Sequence, residues 1–126
     1  MKKYIKEDDP FIVPTDDLKL IEEHFGNASN KYPHCSISRI EMPPRWKEPY
    51  QTPEFDEFVL MELGQLEITV DGEILTVGQG ESILLKKSAR VRFNNPYDFP
   101  ARYWSICLPP FTLDTVHREK NRNSIL

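Results

Sequence analysis

From residue 35 onward the apolar positions recur at a spacing of two, in short runs cut by turn residues. Ile37 to Met42 is one such run, ended by Pro43-Pro44. Phe58 to Leu63 is a second; it is apolar at odd and even positions alike, which predicts a strand buried on both faces. Leu66, Ile68 and Val70 alternate with Glu67 and Thr69, the pattern of a half-buried strand. Asp71-Gly72 then predicts a tight hairpin, with Glu73 to Val77 returning. Ser82 to Leu85, Arg90 to Phe93 and Ala101 to Leu108 supply three more runs. Short strands parted by turns at about 8–12 residues predict an all-β sandwich or barrel.

The two ends read differently. FIVP (11–14) is an extended segment after a polar start. Thr15 has the chemistry of a helix N-cap, Asp16 and Asp17 suit a first turn, and Leu18, Ile21 and Phe25 fall at helical spacing before Gly26. A short amphipathic helix is therefore predicted over 16–25. After Pro109-Pro110, Thr112 is placed to cap a second helix over 113–119, with a frayed tail NRNSIL. The predicted organisation is an N-terminal extension (1–34), a barrel (35–110) and a C-terminal helix and tail (111–126).

Composition narrows the partners. The chain has 126 residues, enough for one domain with its own core. A net charge of −4 argues against nucleic acid or an anionic membrane surface. No apolar run approaches the roughly 20 residues of a membrane helix, and MKKYIKEDDP lacks the apolar region of a signal peptide. A cytoplasmic protein is expected, with Cys35 and Cys107 as reduced packing thiols in no metal-like spacing.

Two spacings carry a family resemblance. Glu57-x6-Gly64 matches the second half of the motif G-x5-H-x-H-x3,4-E-x6-G, and Gly80 with Asn95 fifteen residues later matches the ends of G-x5-P-x-G-x2-H-x3-N. The chain resembles a small cupin, a jelly-roll barrel or double-stranded β-helix, over roughly residues 35–110. It is similar in particular to a subfamily with an EPxQTPEFDE loop (Glu48 to Glu57), an RVRFxNP strand (Arg90 to Pro96) and a YWSxCxPxF end (from Tyr103). Ethanolamine-utilisation Q-type cupins look like more distant relatives. The fold class expected is all-β, a cupin-like jelly-roll barrel with short N- and C-terminal helices. The family also implies a homodimer.

The departures shape the functional reading. The first-motif histidines fall on Tyr50 and Thr52, or with the shorter spacer on Gln51 and Pro53; the second-motif histidine falls on Val91. The motif's Pro and Gly fall on Lys86 and Ser88, and its first Gly on Pro44. Cupin metal sites generally combine three imidazoles with one carboxylate, and of these only Glu57 remains. No cofactor is expected, although a divalent metal on an atypical oxygen-rich set is an open alternative.

Alternation points Glu57, Val59 and Met61 into the barrel, opposite Val91 and Phe93. A carboxylate there loses solvation, which raises its pKa unless a donor offsets the loss. Glu57 is thus a candidate acid/base or ligand anchor; the plain alternative is a loop-holding acceptor. Tyr50, Gln51 and Thr52 are candidates for a polar pocket rim, and Met61 for its wall. Glu48, Glu54, Asp56 and Glu57 form an acidic cluster that is either a hard-cation site or a solvated loop. Arg90 and Arg92 should point away from Val91's face, and Arg90 would bind an anion only if it sat at the mouth.

Tyr103, Ser105 and Cys107 share one strand face and Trp104, Ile106 and Leu108 the other; alternation alone does not say which lines the interior, and the more polar face is the one expected to line the pocket, with Cys107 as a packed thiol. Trp46 either covers the mouth or pins its strand. His24 and His34 read as structural. His117 is either a histidine folded over the opening or a helix-end surface residue. Three functions compete: binding of an unknown small molecule, catalysis by a lyase, isomerase or epimerase built on Glu57 or an atypical metal, and an accessory role in a metabolic operon.

Overall fold

The computed structural model describes residues 2–15 and 18–119. Among the described residues ten strands form two antiparallel sheets: β1 (Phe11–Ile12), β2 (Leu20–Phe25), β3 (Ser36–Met42), β4 (Trp46–Lys47), β5 (Asp56–Leu63), β6 (Gln65–Val70), β7 (Glu73–Gly78), β8 (Ser82–Leu85), β9 (Val91–Asn95) and β10 (Ala101–Leu108). The larger sheet runs β1-β2-β3-β10-β5-β8 and the smaller β4-β9-β6-β7. They stack as a jelly roll whose ladders do not close into a continuous barrel.

The seven runs of alternating residues all form strands, within about two residues of the expected bounds. Asp71 and Gly72 both have positive φ (47° and 89°), the geometry that matches hairpin twist. Gly64 turns the chain from β5 into β6 at φ 75°, and a Cβ there would stand 2.7 Å from the Pro100 carbonyl oxygen. That close approach explains why the first motif ends on glycine. At the end of the second, Asn95 is fully buried; its amide donates to the Pro43 and Phe99 carbonyls and its oxygen accepts from the Tyr97 amide.

Three expectations fail. The predicted N-terminal helix is instead β2, which pairs with β3 through Ile21↔Ile40 and Glu23↔Ser38. Its inward residues include Glu23, and a carboxylate at an inward position hid the period of two. Asp16 and Asp17 lie outside the described residues. Strand β5 is buried on one face alone: Val59 and Met61 are in the core, while Phe58 and Leu60 are about 40% exposed. The C-terminal helix is one turn, Leu113–Val116, capped by Thr112 as expected and ended by His117 at φ 48°. Beyond it Arg118 bridges to Gln51, and the Glu119 amide donates to the Tyr50 carbonyl at 2.7 Å. Residues 120–126 lie outside the described part.

The core is not centred in the jelly roll. Met42, Val59, Met61, Leu66, Ile68 and Val91 fill one end. The other end, around the start of β5 and the end of β10, stays open.

Candidate functional site

A cavity of about 430 Å³ occupies that open end. Its floor comes from the inward faces of β5 and β10, one wall from β2 and β3, and its rim from the β1–β2 and β4–β5 loops and residues 111–118. Glu57 lies at its base. Register pairs Glu57 with Cys107 and Val59 with Ser105, so Ser105 is Glu57's diagonal neighbour on the same face. The Ser105 hydroxyl donates to Glu57 Oε2 at 2.5 Å, and Cys107 Sγ lies 3.7 Å from the same hydroxyl.

Glu57 is buried, and burial pushes its pKa up from 4.5 to about 7; Glu48 adds to the rise, and the Ser105 hydroxyl and Lys19 oppose it. Its other oxygen, Oε1, has no hydrogen-bond partner among the described residues and is not enclosed by protein, so it meets the cavity. Burial likewise holds the Cys107 thiol and the Tyr103 phenol protonated, far above their ordinary values. Cys107 is therefore no nucleophile near neutral pH, and both cysteines are free thiols.

The polar face of β10 does line the cavity: Tyr103, Ser105 and Cys107 all point inward. Tyr103 stacks on Phe93 with centroids 5.6 Å apart. Gln51 also lines it, held by paired backbone hydrogen bonds to Val91, and its side-chain carbonyl oxygen is enclosed without a partner. Trp46 lies in the wall rather than only pinning a strand.

Four expected site residues lie elsewhere. Tyr50 is outside the barrel, its ring stacked by Arg90 at 3.7 Å and Arg92 at 4.4 Å, while Arg90 also pairs with Glu119. Backbone alternation carries Tyr50 away from the Gln51 side. Thr52 misses the cavity for the same reason, its amide donating to the His117 carbonyl. Met61 is packed in the core two pleats below Glu57. His117 is exposed and pairs with Glu54, because the helix ends one residue before it and buries Val116 instead.

The acidic cluster is dispersed rather than assembled. Glu54 meets His117, Asp56 accepts from the Lys87 amide, and Glu48 turns inward to Lys19. This last pair is buried, with Nζ to Oε2 at 2.9 Å, and the ammonium also lies 5.3 Å from the Trp46 ring centroid. Lys19 and Glu23 fall in the segment whose apolar spacing mimics a helix, so the sequence carries no signal that they face the cavity. The aromatic walls Phe55 and Phe111 carried no pattern signal, since each stands alone in a loop.

The three-imidazole site does not fit these residues. Its positions hold a stacked tyrosine, a glutamine, or a core valine, and no described histidine lines the cavity. Residues 38–107 match the family model described as Cupin domain. The chain is a cupin.

This cupin is 39% identical over 108 residues to a Myxococcus xanthus protein named Endoribonuclease YbeY. The match spans 86% of the cupin and 37% of that protein, little more than a third of the relative's length. Among solved structures it is similar to the polyketide cyclase RemF from Streptomyces resistomycificus (TM-score 0.75, 13% identity, 98% of this chain and 89% of that one). It is also similar to the Clostridium difficile EutQ protein (TM-score 0.62, 22% identity, 78% and 75%). At these identities the likeness is one of fold. It agrees with the resemblance to ethanolamine-utilisation Q-type cupins.

Proposed function

We propose that this cupin binds a small molecule in its open end without the three-histidine metal centre, using Glu57 as the anchoring group. The supporting observation is a buried carboxyl at the base of a sizeable, largely apolar cavity, with one oxygen fixed by Ser105 and the other open. Cavities of this volume lined by aromatics and a few polar groups suit drug-sized ligands. The test is elemental analysis of protein purified without chelator or affinity nickel, followed by ligand screening with Glu57→Gln as control. Stoichiometric iron, manganese, zinc or nickel overturns the metal-free reading.

An enzymatic reading rests on the same carboxyl. A pKa near 7 suits proton transfer in either direction, as a lyase, isomerase or epimerase requires. Loss of turnover with retained binding in Glu57→Gln separates this reading from a pure binding role. An accessory role as a filled scaffold is less well supported, because the open end is a cavity. The endoribonuclease name belongs to a protein of which this chain spans 37%, and an acid-based cavity gives RNA no cationic track.

The partner proposed for the outer face of the larger sheet is a second copy of the chain. Leu84, Phe58, Ile106 and Ile37 stand opposite one another in a single row across four strands, with Leu60 and Trp104 in the next row. The bordering charges are already paired within the chain, Arg39 with Glu22 and Glu62 and Arg102 with Glu41. Such a face has no open charge for an oppositely charged partner, and a two-fold copy of itself matches it.

A further inference from the structure

The cavity carries a chemical bias that bears on its ligand, given the reading of that cavity as a binding site. Three carboxylates line it: Glu23, Glu48 and Glu57. Glu23 already accepts from the Ser29 amide at 2.6 Å, and Glu48 holds the Lys19 ammonium. Glu57 differs, since its Oε1 has no partner among the described residues. Gln51, also buried, has a side-chain carbonyl without a partner. That oxygen is enclosed, so the acceptor the cavity presents to a ligand is Glu57 Oε1.

The walls point the same way. Trp46, Phe55, Phe93, Tyr103 and Phe111 present ring surface to the cavity. One of these rings already holds an ammonium over its face, that of Lys19 on Trp46. Aromatic faces attract cations and repel anions. An anion entering here would meet Glu57, whereas of the cavity's two cations Lys19 is held by Glu48 and Arg118 is exposed at the rim where water screens it.

We propose that this cavity selects a small organic cation: a protonated amine on a flat apolar body, donating to Glu57 Oε1 while the body lies against the aromatic walls. The ligand is bound by complementary charge at one end and by apolar contact along the rest. No covalent step is involved.

Three probes of one shape and different charge test this: benzylamine, benzyl alcohol and benzoate. Each is titrated into ¹⁵N-labelled full-length protein, with the indole N–H signal of Trp46 as the reporter. Trp104, the second tryptophan, lies on the outer face against His24 and serves as an internal control. At pH 8 benzylamine is expected to bind about tenfold more tightly than the alcohol, with benzoate weakest. Between pH 8 and pH 6 benzylamine affinity should fall by about tenfold as Glu57 takes up its proton. Both the preference and the pH dependence should vanish in Glu57→Gln. If the alcohol or benzoate moves the Trp46 signal at equal or lower concentration, the cavity binds ligands but the cation assignment is wrong. If none of the three moves it, both the assignment and the binding-site reading fall.

Discussion

Ser105 holds Glu57 from a diagonal position, one pleat along the neighbouring strand, rather than from directly across the ladder. The residue directly across is Cys107, whose thiol contacts the same serine hydroxyl. One hydroxyl therefore fixes one carboxyl oxygen and leaves its twin toward the cavity. Removing the donor in Ser105→Ala should raise the Glu57 pKa further above 7, because this hydrogen bond favours the charged form. The shift is read by carboxyl ¹³C NMR titration. An unchanged midpoint would mean that Ser105 does not set the charge state of Glu57.

The raised pKa of Glu57 fixes the direction of a stability change. Its folded value of about 7 exceeds the ordinary 4.5, so the folded state binds this proton more tightly than the unfolded state. That contribution is complete below about pH 4.5 and is lost as pH rises to about 7, amounting to about 3 kcal/mol by linkage. Glu57→Gln should remove this component and leave the variant more stable than the parent at pH 8. Urea unfolding at pH 5, 6, 7 and 8 checks both; a variant less stable at pH 8 contradicts the account.

Lys19 and Glu48 form a buried pair across the cavity rim, with side chains 10% and 3% exposed. Lys19→Met strands a buried carboxylate and should cost about 3 kcal/mol, whereas Lys19→Met with Glu48→Leu should recover most of the loss. Chemical denaturation of both single variants and the double gives the coupling. Additive effects would show that the pair is not energetically linked.

Phe58 stands mid-row on the outer face of the larger sheet. Phe58→Glu should convert a dimer into a monomer with the fold intact, seen by sedimentation velocity and an unchanged far-ultraviolet spectrum. A parent protein that sediments as a monomer at high micromolar concentration removes the proposed interface.

The sequence shows much of this architecture and part of its site, for physical reasons tied to particular residues. Ser82 to Leu85 and Ala101 to Leu108 are legible to the residue, because each is a short run of strand-forming residues bounded by turn residues. The inward direction of Glu57 follows from alternation with Val59 and Met61, whereas alternation leaves both faces of Ala101 to Leu108 open and the pairing with β5 turns Ser105 inward. Strand β2 is not legible, since Glu23 faces inward and Leu18, Ile21 and Phe25 mimic a helix; pairing with β3 decides its conformation. Lys19, one residue before that strand, is hidden for the same reason. Motif position points to Tyr50 and Thr52, yet in a loop one residue either way selects the opposite side, and of these three only Gln51 turns in. His117 depended on the length of a helix that one left-handed residue cuts short.

The strand taken from the N-terminal segment changes where this cupin can be divided. The family match begins at residue 38, but Lys19, Ile21 and Glu23 line the cavity from in front of it. A fragment trimmed to the matched region would keep Glu57 and Ser105 while exposing the flank of β3 and opening one side of the chamber to water. The acid would then be rehydrated and behave as an ordinary surface carboxylate. What sets this cupin's chemistry apart from that of a bare barrel is thus supplied in part by residues that a boundary drawn on homology would discard.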